Sequence, residues 1–265
     1  MPKFSIFILV FVFMFSFFGL YIYPQNPFLL SAESILLPPS LEHLLGTDRL
    51  GRDILARLME GGKVSLLIGV GSAFIASLIG LMLGATAGYF RGKIDKGFIV
   101  LVDLFLTFPT FFLLLALVSY VNASAWVLIV IISITGWMTT ARLIRSESFK
   151  ITSQPYIKIL GIANVSKIKV LLKYYAPILA PIYFVSFTFG VGGAILAESG
   201  LSFLGLGIVA PQISWGTILS GGKDVVQIAW WVSFFPGLMI FLVTFSLINI
   251  SNYLQHLTNK KQIQG

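Results

Sequence analysis

The residues able to do chemistry are few and scattered. The 265-residue chain holds no cysteine and only two histidines, His43 and His256. Disulfides and thiolate metal sites are therefore excluded. Neither imidazole has a neighbouring ligand with which to share a metal, so both read as polar loop and tail residues and no metal site is expected. Two carboxylates stand out because they fall inside apolar stretches, Asp103 and Glu198. An ionised group at mid-bilayer costs about 2.5–3.5 kcal/mol on insertion scales, so each should face protein or water and find a partner. Arg142 or Arg145 lies near the depth of Asp103, which points to a structural ion pair, with a cargo contact as the other reading. Glu198 has no evident basic partner and adjoins an outer loop. That leaves it, with nearby Ser202, either on a solute pathway or at a water-exposed helix end.

Nucleotide chemistry finds no support in this chain. Leu219-Ser220-Gly221-Gly222 spells the signature of nucleotide-hydrolysing cassettes, yet it falls on the predicted outer face. Gly62-Lys63 fails as a phosphate loop, since Arg57 stands where the first glycine must be and Val64 where the hydroxyl must be. The remaining carboxylates are spread over different segments, so no catalytic constellation and no resident cofactor are expected.

The elements that must position these residues are set by composition. The chain is 57% hydrophobic and 11% charged, against about 25% charged in an average globular protein. A transmembrane helix needs about 20 mostly apolar residues, and six stretches qualify: Phe4–Tyr23, Val64–Phe90, Gly97–Tyr120, Ala125–Ile144, Pro177–Ala197 and Ile228–Asn252. Backbone groups cannot stay unpaired in lipid, so these are helices, and the expected fold class is all-α integral membrane. The first stretch ends in Tyr21-Ile22-Tyr23-Pro24 rather than a small-residue cleavage site, which favours a retained anchor over a signal peptide. With the N-terminus inside, the inner segments collect most of the 18 basic residues: Lys3; Arg91, Lys93 and Lys96; the run from Arg142 to Lys173; Lys260 and Lys261. Both termini are therefore expected in the cytoplasm. The net charge of +8 is explained by the inner leaflet, so a nucleic-acid partner loses its support.

The domain reading follows: a first span over 1–23, an outer loop over 24–63, a five-helix membrane domain over 64–252 with an inner loop at about 146–176, and a tail over 253–265. The inner loop is the most informative. Pro155 suits a first helical turn, and Tyr156, Ile159, Leu160 and Ala163 make an apolar stripe with Lys158 pointing away. Asn164 can take the left-handed turn that ends a helix, and Ser166 can cap the next. In that second piece Ile168, Leu171, Leu172 and Tyr175 form a stripe, and Pro177 stops it. The result is a helix–turn–helix at the inner surface, either lying on anionic lipid or docking a cytoplasmic partner. Gly80, Gly84 and Gly88 read as a close helix contact; Gly190, Gly192 and Gly193 read as tight packing or a flexible gate.

Four motifs carry a resemblance: Leu45-Gly46-Thr47-Asp48-Arg49-Leu50-Gly51-Arg52-Asp53, Ser202-Phe203-Leu204-Gly205-Leu206-Gly207, Ser214-Trp215-Gly216 and Phe235-Pro236-Gly237. From about Leu41 to Asn252 the chain resembles the second permease subunit of bacterial dipeptide, oligopeptide and nickel ABC importers. The resemblance implies the type I importer permease fold with six spans in the bacterial inner membrane. It further implies a second homologous permease, two separate ATPase subunits that bind ATP and magnesium, and an extracytoplasmic solute-binding protein. The family's inner loop carries Glu-Ala-Ala, a glycine four positions later and a terminal Leu-Pro, which seat in the ATPase. Here those positions hold Lys158-Ile159-Leu160, Asn164 and Ala176-Pro177, so the acidic residue has become basic. By this resemblance Tyr156, Lys158, Ile159, Leu160, Asn164, Ile168 and Pro177 are the expected ATPase-coupling residues. Peptide is the expected cargo and nickel or a metal chelate the alternative. An ion-coupled carrier, working through Asp103 and Glu198 without ATP, and a purely structural scaffold are the rivals from other classes.

Overall fold

The computed structural model describes residues 2–264, apart from the side chains of Lys158, Gly161 and residues 259–264. It is helical, with ten α-helices and no strand among the described residues. In chain order these are α1 (Lys3–Ile22), α2 (Ile54–Phe90), α3 (Gly92–Leu106), α4 (Thr110–Val118), α5 (Ala125–Ser153), α6 (Pro155–Ile162), α7 (Lys167–Val170), α8 (Ala176–Phe203), α9 (Trp215–Gly222) and α10 (Trp231–Gln264). Five helices are long and apolar enough to cross a membrane, and the pair α3 and α4 makes a sixth crossing if the two count as one.

Several of the expected boundaries move: α5 continues past Ile144 to Ser153, and α10 runs through the expected tail to Gln264. Gly97–Tyr120 is not one rod: α3 and α4 meet at 75°. The break falls at Thr107–Pro109, where proline lacks an N–H and disfavours helix in the residue before it. The second span begins at Ile54 rather than Val64, because Asp53 caps it, accepting the Ala56 N–H at 2.9 Å. The polar stretch before Val64 is thus helix, not loop.

That cap also anchors the loop between α1 and α2. The second Asp53 oxygen accepts the Tyr23 hydroxyl at 2.9 Å and meets His43 Nδ1 at 2.9 Å. Burial, then the hydrogen bond to Asp53 and its charge, push the Tyr23 phenol up to about 12. Asp48 folds the preceding turn, accepting the N–H groups of Leu50 at 2.8 Å and Arg52 at 3.0 Å and pairing with the Arg52 guanidinium at 2.8 Å. The Trp231 indole donates to the Thr47 carbonyl at 3.1 Å and so fastens this loop to the start of α10.

Within lipid, helices associate by close packing and hydrogen bonds rather than by hydrophobic expulsion. The longest contact here is α2 against α5. A Cβ at Gly84 would collide with the Ala141 carbonyl oxygen, and one at Gly80 would lie 2.8 Å from Thr140 Cβ. The glycine spacing is therefore a packing face, as expected. α8 packs on both α2 and α10, α1 lies across α2 and α10, and α9 is wedged between α8 and α10.

Candidate coupling elbow, sealed glutamate and central cleft

The elbow between α5 and α8 is built by local chain chemistry. Gln154 turns extended and Pro155 opens α6. Asn164 adopts φ +52°, the left-handed turn expected of it. The Ser166 hydroxyl accepts the Lys169 N–H at 3.3 Å to cap α7. Pro177 does not stop the helix. The segment Leu171–Tyr175 takes i→i+5 hydrogen bonding and leads straight into α8, so Lys167–Phe203 runs as one 37-residue helix. Pro177, which cannot donate to the helical ladder, directly follows this widened turn.

The elbow has two apolar faces, and only one was expected. Ile157, Val170 and Tyr175 are buried with Ile144, Ile151 and Leu179, and Leu160 packs against that cluster. The Tyr175 hydroxyl and Thr152 Oγ1 lie 2.7 Å apart, and Thr152 donates to the Gly88 carbonyl at 2.9 Å. This bolts the elbow to the C-terminal end of α2. The opposite face points away from the protein: Ile159 is 62% exposed and Ile162 84%, with Tyr156, Ile168 and Leu172 also exposed. The stripe Tyr156–Ile159–Leu160–Ala163 therefore splits, with Leu160 alone turning inward. Ile162 was missed, although its spacing of three from Ile159 was readable. The Lys158 side chain lies outside the described residues, as do those of Lys260 and Lys261.

Arg91 ties the elbow's root to the α2–α3 corner. Its backbone sits at φ +55°, a region sparsely populated by non-glycine residues and held only where neighbours enforce it. Those neighbours are the Phe149 carbonyl at 2.9 Å, the Ser153 hydroxyl at 2.7 Å and the Phe149 ring 3.9 Å beneath the guanidinium. One turn along α5, Arg145 grips Asp95 with both prongs, the second at 2.7 Å. Asp103 pairs with Arg142, as one of the two expected partners. Both lie in a recess with Phe98, Ile99 and Val102, apart from any other carboxylate considered for cargo.

Glu198 is not at a water-exposed helix end. It is fully buried, 0% exposed. One carboxylate oxygen accepts the Ser202 hydroxyl at 2.7 Å and the Ser214 hydroxyl at 2.6 Å; the other accepts Ser199 at 3.5 Å. Hydroxyls, not a basic side chain, are the partners that sequence reading could not find. Ser202 is in the same cluster, whereas Asp103 is not.

A cleft of about 470 Å³ opens between α2, α5 and α8. Its polar lining is Ser72, Ser77, Thr110, Thr135, Thr139, Thr140, Ser186 and Gln255, and among the described residues no charged or imidazole side chain lines it. Gly190 and Gly193 form part of the α8 wall. The buried Ser72 and Ser186 hydroxyl oxygens have no hydrogen-bond partner among the described residues.

Comparison with known proteins adds the family. Residues 52–262 match the model for binding-protein-dependent transport system inner membrane components. The dipeptide transport system permease protein DppC of Bacillus subtilis is 33% identical over 258 residues, covering 97% of this chain and 81% of that protein. The nickel transport system permease protein NikC of Escherichia coli K12 is 30% identical over 227 residues, covering 85% and 82%. The oligopeptide transport system permease protein OppC of Haemophilus influenzae is 33% identical over 209 residues, covering 78% and 67%. Among solved structures, an inward-facing MetNI methionine ABC transporter superposes with a TM-score of 0.58 at 15% identity, covering 74% of this chain and 95% of that one. With apolar helices of this length, this order of elements and these matches, the chain belongs to the binding-protein-dependent transport system inner membrane component family and has the type I ABC importer permease fold.

Proposed function

We propose that this chain is one of a pair of permease subunits in an ATP-driven peptide importer, with both termini in the cytoplasm, driven by two separate ATPase subunits and supplied by an extracytoplasmic binding protein. The observation that carries this reading is the outward apolar face of the elbow. Ile159, Ile162, Ile168 and Leu172 are exposed, as is Tyr156 beside the Tyr174 ring, on a segment whose other face is bolted to α2 and which runs without a break into α8. Such a patch supports docking into a groove on an ATPase that binds the nucleotide and magnesium. Closure of the ATPases moves the patch, and differential nucleotide binding to the two states does the work. Lys158 in place of the family's acidic residue calls for an acidic or apolar groove.

The cargo reading rests on the cleft. The cleft is mostly apolar, lined by Ala73, Ala76, Leu114, Ile132 and Phe189 among others, with a minority of hydroxyls and Gln255, a surface that suits a neutral solute with apolar side chains and a few hydrogen-bonding groups. The similarity to the nickel permease supports a second reading, a metal chelate; a cleft without thiol, imidazole or carboxylate presents no ligand suited to a bare transition metal. An ion-coupled mechanism loses its footing, since Asp103 is paired with Arg142 and Glu198 is sealed away from the cleft.

The test is co-purification with the ATPases and uptake in vesicles of labelled dipeptides, longer peptides and nickel. Ile159→Asp or Ile162→Asp alters only the exposed face, whereas Leu160→Asp also strikes the buried cluster. Either exposed-face variant is expected to cut solute-stimulated ATP hydrolysis and uptake at least tenfold; unchanged stimulation would remove the docking role.

A further inference from the structure

Two motif stretches, Ser202–Gly207 and Ser214–Gly216, converge on Glu198. Ser202 lies one turn further along α8, and Ser214 is the N-cap of α9, where its hydroxyl also accepts the Thr217 N–H at 3.1 Å while Thr217 accepts the Ser214 N–H at 2.8 Å. The packing around the carboxyl is too tight for side chains. A Cβ on Gly216 would lie 2.7 Å from Ser199 Cα and 2.9 Å from Ser202 Cβ, and one on Gly207 would collide with Ser202. α9 is held from its other side by Trp215, whose N–H donates to Ser65 at 3.0 Å and whose indole donates to the Leu58 carbonyl at 2.9 Å on α2. At its far end Ser220 reaches the Phe203 carbonyl at 3.4 Å.

We propose that Glu198 is the positioning residue of the outer gate: by accepting the Ser202 and Ser214 hydroxyls on a single oxygen it joins α9 to the end of α8, so that the outer mouth opens by moving α8 and α9 as one body. A carboxyl suits this place because its two oxygens accept three hydroxyls, from Ser199, Ser202 and Ser214, one more than the two lone pairs of a hydroxyl take and none of which an apolar side chain accepts. α8 is the helix driven by the elbow at its other end, so the joint delivers motion of the inner surface to the outer loop. It rests on the importer reading for its consequence in transport, but the joint itself is tested without transport.

Spin labels on Phe203→Cys and Lys223→Cys, both exposed, span α8 and the end of α9 clear of the carboxyl and leave the Ser220 hydroxyl in place, in a chain free of native thiols. In detergent the distance distribution is expected to stay narrow with Glu198 or Glu198→Gln, whose amide oxygen still accepts both hydroxyls, and to broaden at least twofold with Glu198→Ala. Ser214→Ala, which deletes one donor, is expected to fall between and serves if the alanine variant does not fold. A narrow distribution in Glu198→Ala or, failing that, in Ser214→Ala overturns the joint. In the reconstituted importer, bridging the same two thiols with a short bifunctional reagent is expected to leave uptake within twofold. A tenfold loss that is reversed when the bridge is cleaved shows that α9 must lift from α8, and overturns the one-body gate.

Discussion

Tyr23 ties its ionisation to the loop between α1 and α2 through its hydrogen bond to Asp53. Its phenol is held neutral to about 12, first by burial, then by donating to Asp53 and by that carboxylate's charge. The ordinary value is about 10, so between these two the unfolded chain has lost the proton and the folded chain has kept it. The contribution of Tyr23 to stability is therefore complete below pH 10 and is lost as pH rises through 12. Relative to Tyr23→Phe, the wild-type unfolding midpoint in detergent is expected to fall across that window and nowhere below it; parallel curves would refute this. Asp53 serves more partners. Asp53→Ala removes the cap of α2 together with the ties to Tyr23 and His43, and the cap alone is worth about 1 kcal/mol, readable as a lowered midpoint at neutral pH.

At the scale of elements, the contacts between helices make the prediction. α2 and α5 approach until only a hydrogen fits at Gly84, while nothing lies within 4 Å of where a Cβ would stand on Gly193. Gly84→Ala is thus expected to destabilise by about 1–3 kcal/mol through overpacking. Gly193→Ala should be neutral or gain up to about 1 kcal/mol from helix propensity. Equal melting shifts for the two would sink the distinction. These same elements show what could be read beforehand. The Gly80–Gly84–Gly88 face, the Asn164 turn and the Ser166 cap were legible because each is a local requirement on one residue type. The kink at Pro109 and the start at Asp53 were readable in principle, but window averages over apolar residues hide a proline and a cap inside a longer run. The two-faced elbow was not legible, since an eight-residue helix rich in isoleucine has apolar residues on both sides and only tertiary packing selects Ile157. Nor was the Glu198 cluster, whose Ser214 partner arrives from another helix.

For the whole molecule, sidedness is the claim on which coupling depends. The Ser166 side is expected inside and the loop before α9 outside. Ser214 is buried and makes a poor reporter, but Gln212 is exposed. Single thiols at Ser166 and Gln212 should therefore label oppositely with an impermeant reagent, Gln212→Cys in intact cells and Ser166→Cys only in inverted vesicles. Labelling of Ser166→Cys from outside would reverse the assembly.

The unbroken course of Lys167–Phe203 means that the elbow and the Glu198 end of α8 are set on a single shaft with a fixed angular phase. Each residue advances an α-helix by roughly 100°, since about 3.6 make a turn. One alanine inserted after Ile182 should thus swing the hydroxyl-bearing wall a quarter turn out of true and stall import, while four inserted together should bring it almost back into phase. If the single insertion ran as freely as the fourfold one, the helix would be slipping like a clutch, not turning like an axle.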